Sequence, residues 1–177
     1  AGLPVIAVGT VTVGGTGKTP LVTWIVRKLR SHGYNPAIVM RGYAAVDPEN
    51  ADEAVEYREK LKDIDVIVGS NRVETIQKYI EGGGTADCLI MDDGFQHRRL
   101  HRDLDVVCLD ARMPFANGLC LPAGDLREFR KGLHRADCLS LTRAGGLDRG
   151  QIGMRLGRPR QDSATERPVP TRESQRS

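Results

Sequence analysis

The segment VIAVGTVTVGGTGKTP, residues 5–20, constrains this chain more than any other. Its first half is a short apolar run that reads as a strand. From Thr19 onward the apolar residues recur at helical spacing. Between them lie Gly14, Gly15, Thr16, Gly17, Lys18 and Thr19. A glycine loop between strand and helix is a phosphate cradle. Backbone N–H groups close around phosphate oxygens where no side chain intervenes, and the helix turns its positive dipole end toward them. In such a P-loop, Lys18 would reach the β- and γ-phosphates and Thr19 would place a hydroxyl on Mg²⁺. The usual first glycine is replaced, so the loop reads Thr12, Val13, Gly14, Gly15, Thr16, Gly17, Lys18, Thr19.

The rest of the chain alternates in the same manner. Strands are expected over 3–8, 36–40, 65–68, 88–91, 105–109 and 138–141, and helices over 19–32, 51–62 and 72–81. Short apolar strands without polar alternation, separated by helices, predict an α/β fold. Its sheet is mostly parallel and covered by helices on both faces, as in P-loop NTPases. Leu21, Ile25, Val26 and Leu29 give the first helix its apolar face.

Charge separates the C-terminus from the remainder. Of 26 basic and 23 acidic residues, six Arg and three acids lie in 151–177, among Pro, Ser, Gln and Thr. The first 150 residues are therefore neutral, and the net charge of +3 is no argument for a nucleic-acid partner. A segment this poor in apolar residues is expected to be disordered. Two regions follow: an organised domain over 1–143 and a low-complexity tail over 144–177. Cys88, Cys108 and Cys138 fall in apolar runs and read as small buried residues. With Cys120 they make no C-x-x-C pair, so neither a disulfide framework nor a zinc site is suggested. No apolar run is long enough to span a bilayer.

A second acidic motif follows the fourth strand, where CLIM (88–91) runs into Asp92, Asp93 and Gly94. A carboxylate at the end of an apolar strand sits at the carboxyl edge of the sheet, where a P-loop holds its Mg²⁺. Magnesium takes hard oxygen ligands and keeps several waters, so one or two carboxylates suffice. Thr19, Asp92 and Asp93 are the candidate metal residues. Taken alone, Asp92 and Asp93 also read as a capped turn before Gly94; the P-loop upstream favours the metal reading.

The sequence continues with DDGFQHRRL (92–100) and LPAGDLRE (121–128), and RGY (41–43) follows the second strand. Together with TVGGTGKTP (12–20), in this order, these motifs resemble the tetraacyldisaccharide 4'-kinases, also called lipid A 4'-kinases. The resemblance runs over about 4–143. It implies that residues 12–19 cradle ATP and that Thr19 with Asp92 and Asp93 holds Mg²⁺. It also implies that Gln96, His97 and Glu128 are active-site residues alongside Lys18 and Asp93. Asp52, in ADEA (51–54), aligns with the Asp of the family's G-D-E-P segment, where the catalytic base is expected. An acid at a helix start is favoured by the dipole in any case, and His97 also reads as part of a solvated basic loop.

The implied acceptor is the 4'-hydroxyl of an acylated glucosamine disaccharide 1-phosphate, a glycolipid handled at the cytoplasmic face of the bacterial inner membrane. By itself the chain is expected to be soluble and cytoplasmic. In the family a membrane-associated helix precedes the first strand, and a His from a second lobe orients the base. Neither is matched here, so the chain is expected to be a fragment with little or no kinase activity. The oligomeric state is not readable. A different class shares the G-G-x-G-K-T core: NTPase switches of the partition or septum-site type. These carry a second Lys near the start of the loop, whereas Val13 stands before Gly14 here.

Overall fold

The computed structural model describes residues 2–42 and 52–156. Six strands form one sheet among the described residues: β1 (Val5–Gly9), β2 (Pro36–Met40), β3 (Val66–Val68), β4 (Cys88–Asp92), β5 (Leu104–Asp110) and β6 (Cys138–Thr142). Their order is β3-β2-β4-β1-β5-β6, and every pairing is parallel. Helices α1 (Lys18–Ser31), α2 (Asp52–Lys60) and α3 (Arg72–Glu81) connect the first four strands. The expected α/β class with a parallel sheet is the one observed.

The strands are apolar throughout because both faces are covered. On one face Val8, Ile38, Met40, Ile90 and Val106 pack with Val22 and Val26 of α1 and with Ala54 and Tyr57 of α2. On the other, Val5, Ala7, Ala37, Val39, Leu89 and Met91 pack around Ile76 of α3. Successive residues of one strand thus feed opposite cores, as the two-residue period of a strand requires. At roughly 25 cal/mol per Å² of buried apolar surface, this double coverage is the main source of stability.

As expected, no helix lies between β4 and β5, which residues 93–103 connect as a loop, and between β5 and β6 there is a 3₁₀ turn, Arg130–Arg135. Expectation and structure differ at two places. Cys138 is exposed, whereas Cys88 and Cys108 are buried as expected. Cys138 opens β6, which pairs only with β5, so it lacks the two-sided cover of the central strands.

The second difference is in the expected tail. The chain divides into two compact units, Ala1–Ala144 and Gly145–Ser177. The second unit carries an α-helix, α4, over Arg149–Leu156. Its start is a capping box: the Gln151 N–H donates to Asp148 Oδ1 at 2.7 Å, and the Asp148 N–H donates to Gln151 Oε1 at 3.1 Å. The D-x-x-Q spacing was the sequence signal for it, offset by Gly150 and Gly153 inside the helix. The remainder of the expected tail, 157–177, lies outside the described residues, as does 43–51. No helix among the described residues is long and apolar enough to cross a membrane.

Candidate active site

The sheet order sets β4 directly against β1, with Val8 opposite Asp92. The last residue of β4 therefore ends beside the start of the glycine loop, at the carboxyl edge of the sheet. Gly17 has φ 86° and ψ 26° and turns the chain into α1, and no side chain caps that helix. The Lys18 and Thr19 N–H groups that open α1 are thus left without a side-chain cap. A Cβ at Gly14 or Gly15 would meet no atom within 4 Å, so the loop backbone is open to a ligand. The loop is fixed from beneath: Thr142 Oγ1 donates to the Thr16 carbonyl at 2.7 Å, and Cys108 Sγ contacts the same oxygen at 3.0 Å. An uncapped helix start over an open glycine loop fits the triphosphate of a nucleotide.

Asp92 and Asp93 do different things. Asp92 is 5% exposed and holds both its oxygens in hydrogen bonds. The Tyr57 hydroxyl donates to Oδ2 at 2.8 Å, and the Asp93 N–H donates to Oδ1 at 2.8 Å. Burial pushes its pKa up, against the opposing effects of the Tyr57 hydrogen bond and the Lys18 charge. The buried Asp92 carboxylate and the Thr19 hydroxyl, both of which neighbour the Tyr57 phenol, are hard oxygens of the kind that Mg²⁺ takes.

Asp93 turns through φ 50°, a left-handed conformation that Asp tolerates better than most residues. Its carboxylate receives Lys18 Nζ at 3.2 Å and Arg127 at 2.6 and 2.8 Å. Burial opposes ionisation of Asp93, but the Arg127 hydrogen bond and Lys18 outweigh it and hold the pKa below the ordinary value.

A second strand of chain delivers the remaining groups. Residues 125–127 run beside 11–13: the Val13 N–H donates to the Asp125 carbonyl at 2.8 Å, and the Arg127 N–H donates to the Val11 carbonyl at 2.7 Å. This brings Glu128 to Gln96, whose Nε2 donates to Glu128 Oε1 at 3.0 Å and to the Thr10 carbonyl at 2.9 Å. Arg135 grips both Glu128 oxygens at 2.7 and 2.9 Å and lies 4.5 Å over the Phe95 ring.

His97 is beside Gln96 in a cavity of about 340 Å³ that Arg41, Arg72, Asp93 and Arg127 also line. An adjoining hollow adds Arg98 and Arg99. Burial, then the charges of Arg72, Arg102, Arg99 and Arg41, lowers the His97 pKa, so the ring is held neutral.

The structure therefore gathers Lys18, Thr19, Asp92, Asp93, Gln96, His97 and Glu128 around the carboxyl edge of β1 and β4. Asp52 is the first residue of α2 and is exposed. Its neighbour Glu53 lies in the field of Asp92, Lys18 and Asp93. Desolvation of its carboxyl, then repulsion by Asp92, raises its pKa.

Sequence reasoning missed Glu53, Tyr57 and Arg72. Tyr57 was discoverable: Ala54, Tyr57 and Leu61 recur at helical spacing, the first two being the buried face of α2 and Leu61 being buried just beyond its end. Arg72 carried no signal. It is 4% exposed, and its NH2 donates to the Asp92 carbonyl at 2.8 Å.

A parallel sheet with a glycine loop leading from β1 into α1, and an acidic strand end next to it, defines a P-loop fold of the kinase and NTPase kind. The model of one family within that class, tetraacyldisaccharide-1-P 4'-kinase, matches residues 1–167, and the chain belongs to that family. The match runs past 143, where the recognisable motifs end. A tetraacyldisaccharide 4'-kinase of Syntrophus aciditrophicus is 43% identical over 171 residues, covering 86% of this chain and 45% of that protein. One of Halorhodospira halophila is 38% identical over 182 residues, covering 95% and 55%.

Among solved structures, LpxK of Aquifex aeolicus in complex with ATP superposes with a TM-score of 0.73 at 32% identity, covering 81% of this chain and 49% of that one. The signal recognition particle receptor FtsY of Elizabethkingia anophelis, at a TM-score of 0.55 and 17% identity, shares the fold alone. The chain spans about half the length of the curated relatives it matches. Family membership decides against the partition or septum-site reading.

Proposed function

We propose that this chain carries the nucleotide half of a kinase that phosphorylates the 4'-hydroxyl of the tetraacyldisaccharide 1-phosphate precursor of lipid A. The observation that carries this reading is the meeting of Lys18, Asp92 and Asp93 below an uncapped helix start, in a chain of this family. Residues 12–19 bind the ATP phosphates through loop and helix N–H groups. Thr19 and Asp92, with Asp93 beside Asp92, would hold Mg²⁺, which when bound would offset charge on the transferring phosphoryl group.

Lys18 starts from its pair with Asp93, and Arg127 keeps that carboxylate compensated when Lys18 turns to the phosphates. Asp52, at the head of α2, is the base that takes the proton of the acceptor hydroxyl. Gln96 and the Glu128–Arg135 pair brace the floor of the site beneath Thr10. Neutral His97 faces the acceptor side. The arginines lining the two adjoining hollows suit an anionic glycolipid phosphate. The acceptor is an amphiphile, so the whole enzyme works at the cytoplasmic face of the inner membrane, in peripheral contact with it.

The test is transfer of labelled γ-phosphate to the tetraacyldisaccharide 1-phosphate in detergent, with Lys18→Ala alongside. Lys18-dependent label on the acceptor supports the reading. Acceptor-independent ATP hydrolysis that membranes or the glycolipid do not affect would defeat it.

A further inference from the structure

Tyr57 ties together the two residues assigned to magnesium, and this inference rests on that assignment. The side chain is fully buried on α2, and its hydroxyl donates to Asp92 Oδ2 at 2.8 Å. The side chain of Thr19 neighbours the same phenol. The phenol thus sits between the end of β4, to which it is hydrogen-bonded, and the first turn of α1. With Oδ1 of Asp92 taken by the Asp93 N–H at 2.8 Å, the carboxylate cannot rotate without breaking a bond at each end.

The third element held is α2 itself. Its first turn carries Asp52 and Glu53, and Tyr57 follows one turn later on the face toward the sheet. The rest of α2 is tied to α1 more loosely, through exposed bonds. Arg27 NH2 reaches the Lys60 carbonyl at 3.3 Å, and just beyond the helix Arg30 NH1 reaches the Lys62 carbonyl at 3.0 Å.

We infer that Tyr57 is a positioning residue: its hydroxyl sets Thr19 and Asp92 in one arrangement for Mg²⁺ and couples that arrangement to the α2 turn bearing Asp52 and Glu53. Tyr57→Phe keeps the ring and its packing with Val22, Val26 and Ile90, but leaves Asp92 Oδ2 without its donor. Metal binding should then feel the loss and packing should not.

The experiment is calorimetric titration of the full chain with ATP, at a series of Mg²⁺ concentrations and in EDTA. In Tyr57→Phe the Mg²⁺ midpoint is expected to rise about tenfold, the scale of one lost hydrogen bond to a charged group, with the EDTA affinity unchanged. An unshifted midpoint in a folded Tyr57→Phe overturns the inference and leaves the magnesium reading standing. If wild-type ATP affinity does not depend on Mg²⁺, the magnesium reading falls and the inference with it.

Hydrogen exchange on the wild-type chain tests the coupling without any variant. Amides at the start of α2 are expected to gain protection with MgATP over ATP in EDTA. Equal protection in the two overturns the coupling.

Discussion

At the residue scale, the site is built on unequal treatment of two adjacent carboxylates. Asp93 is compensated by two cations, whereas Asp92 is buried against a phenol and a backbone N–H. Lys18 is therefore not needed to keep Asp93 ionised, and its removal should act on ligand binding rather than on folding. Lys18→Ala is expected to weaken MgATP binding by about 2–4 kcal/mol, the scale for losing one partner of a desolvated charge pair. Calorimetry on both proteins measures it.

His97 makes a second prediction, in pH. Its folded pKa lies below the ordinary 6.5, because of burial and then its arginine neighbours. As pH falls below 6.5 the unfolded chain takes up the proton first, so stability drops until pH passes the lower folded value. Proton NMR should place the His97 titration below that of a free histidine. In denaturant titrations between pH 7 and 5, His97→Gln should lose less stability than wild type.

At the element scale, the decisive unit is β1, loop and α1. Gly17 is constrained twice. Its φ of 86° is costly for any side chain, and a Cβ would lie 2.8 Å from Thr142 Cγ2. Gly17→Ala should lower stability by about 1–3 kcal/mol, the range for a strained left-handed residue. Gly15→Ala, whose Cβ would meet nothing within 4 Å, should stay within about 0.5 kcal/mol of wild type. Urea unfolding of the two variants gives the comparison. Equal losses would mean that Gly17 is not the position where the loop is conformationally locked. Helix α2 matters for a different reason: its buried face brings Tyr57 onto Asp92, while its first turn carries Asp52 and Glu53.

On the scale of the whole molecule, a ligand that binds only the native state adds stability by mass action. MgATP at one hundred times its dissociation constant should add about 2.7 kcal/mol. That corresponds to a rise of roughly 5–10 °C in Tm, since one kcal/mol moves a domain of this size by about 2–4 °C. Scanning fluorimetry measures the rise, which Lys18→Ala should cut to less than half at the same nucleotide concentration. The shift reports on the sheet as a unit, because the loop cannot hold phosphates unless β1 is clamped between β4 and β5.

The sequence by itself determined what depends on near neighbours. Backbone sterics and hydrophobic period place β2 at Pro36–Met40 and α3 at Arg72–Glu81, as expected from pattern alone. They also set the strand–loop–helix order around Lys18 and the acidic end of β4. The parallel class followed from strands too apolar to face water.

Tertiary structure alone decided who meets whom. The strand order puts Asp92 opposite Val8, and no local pattern encodes that order. It brought Arg127 onto Asp93 from 34 residues away, Glu128 onto Gln96, and Tyr57 onto Asp92. The physical reason is range. Periodicity and turn chemistry act over a few residues, whereas the convergence of charged groups depends on how the sheet is wound, and that is fixed by burying both its faces at once.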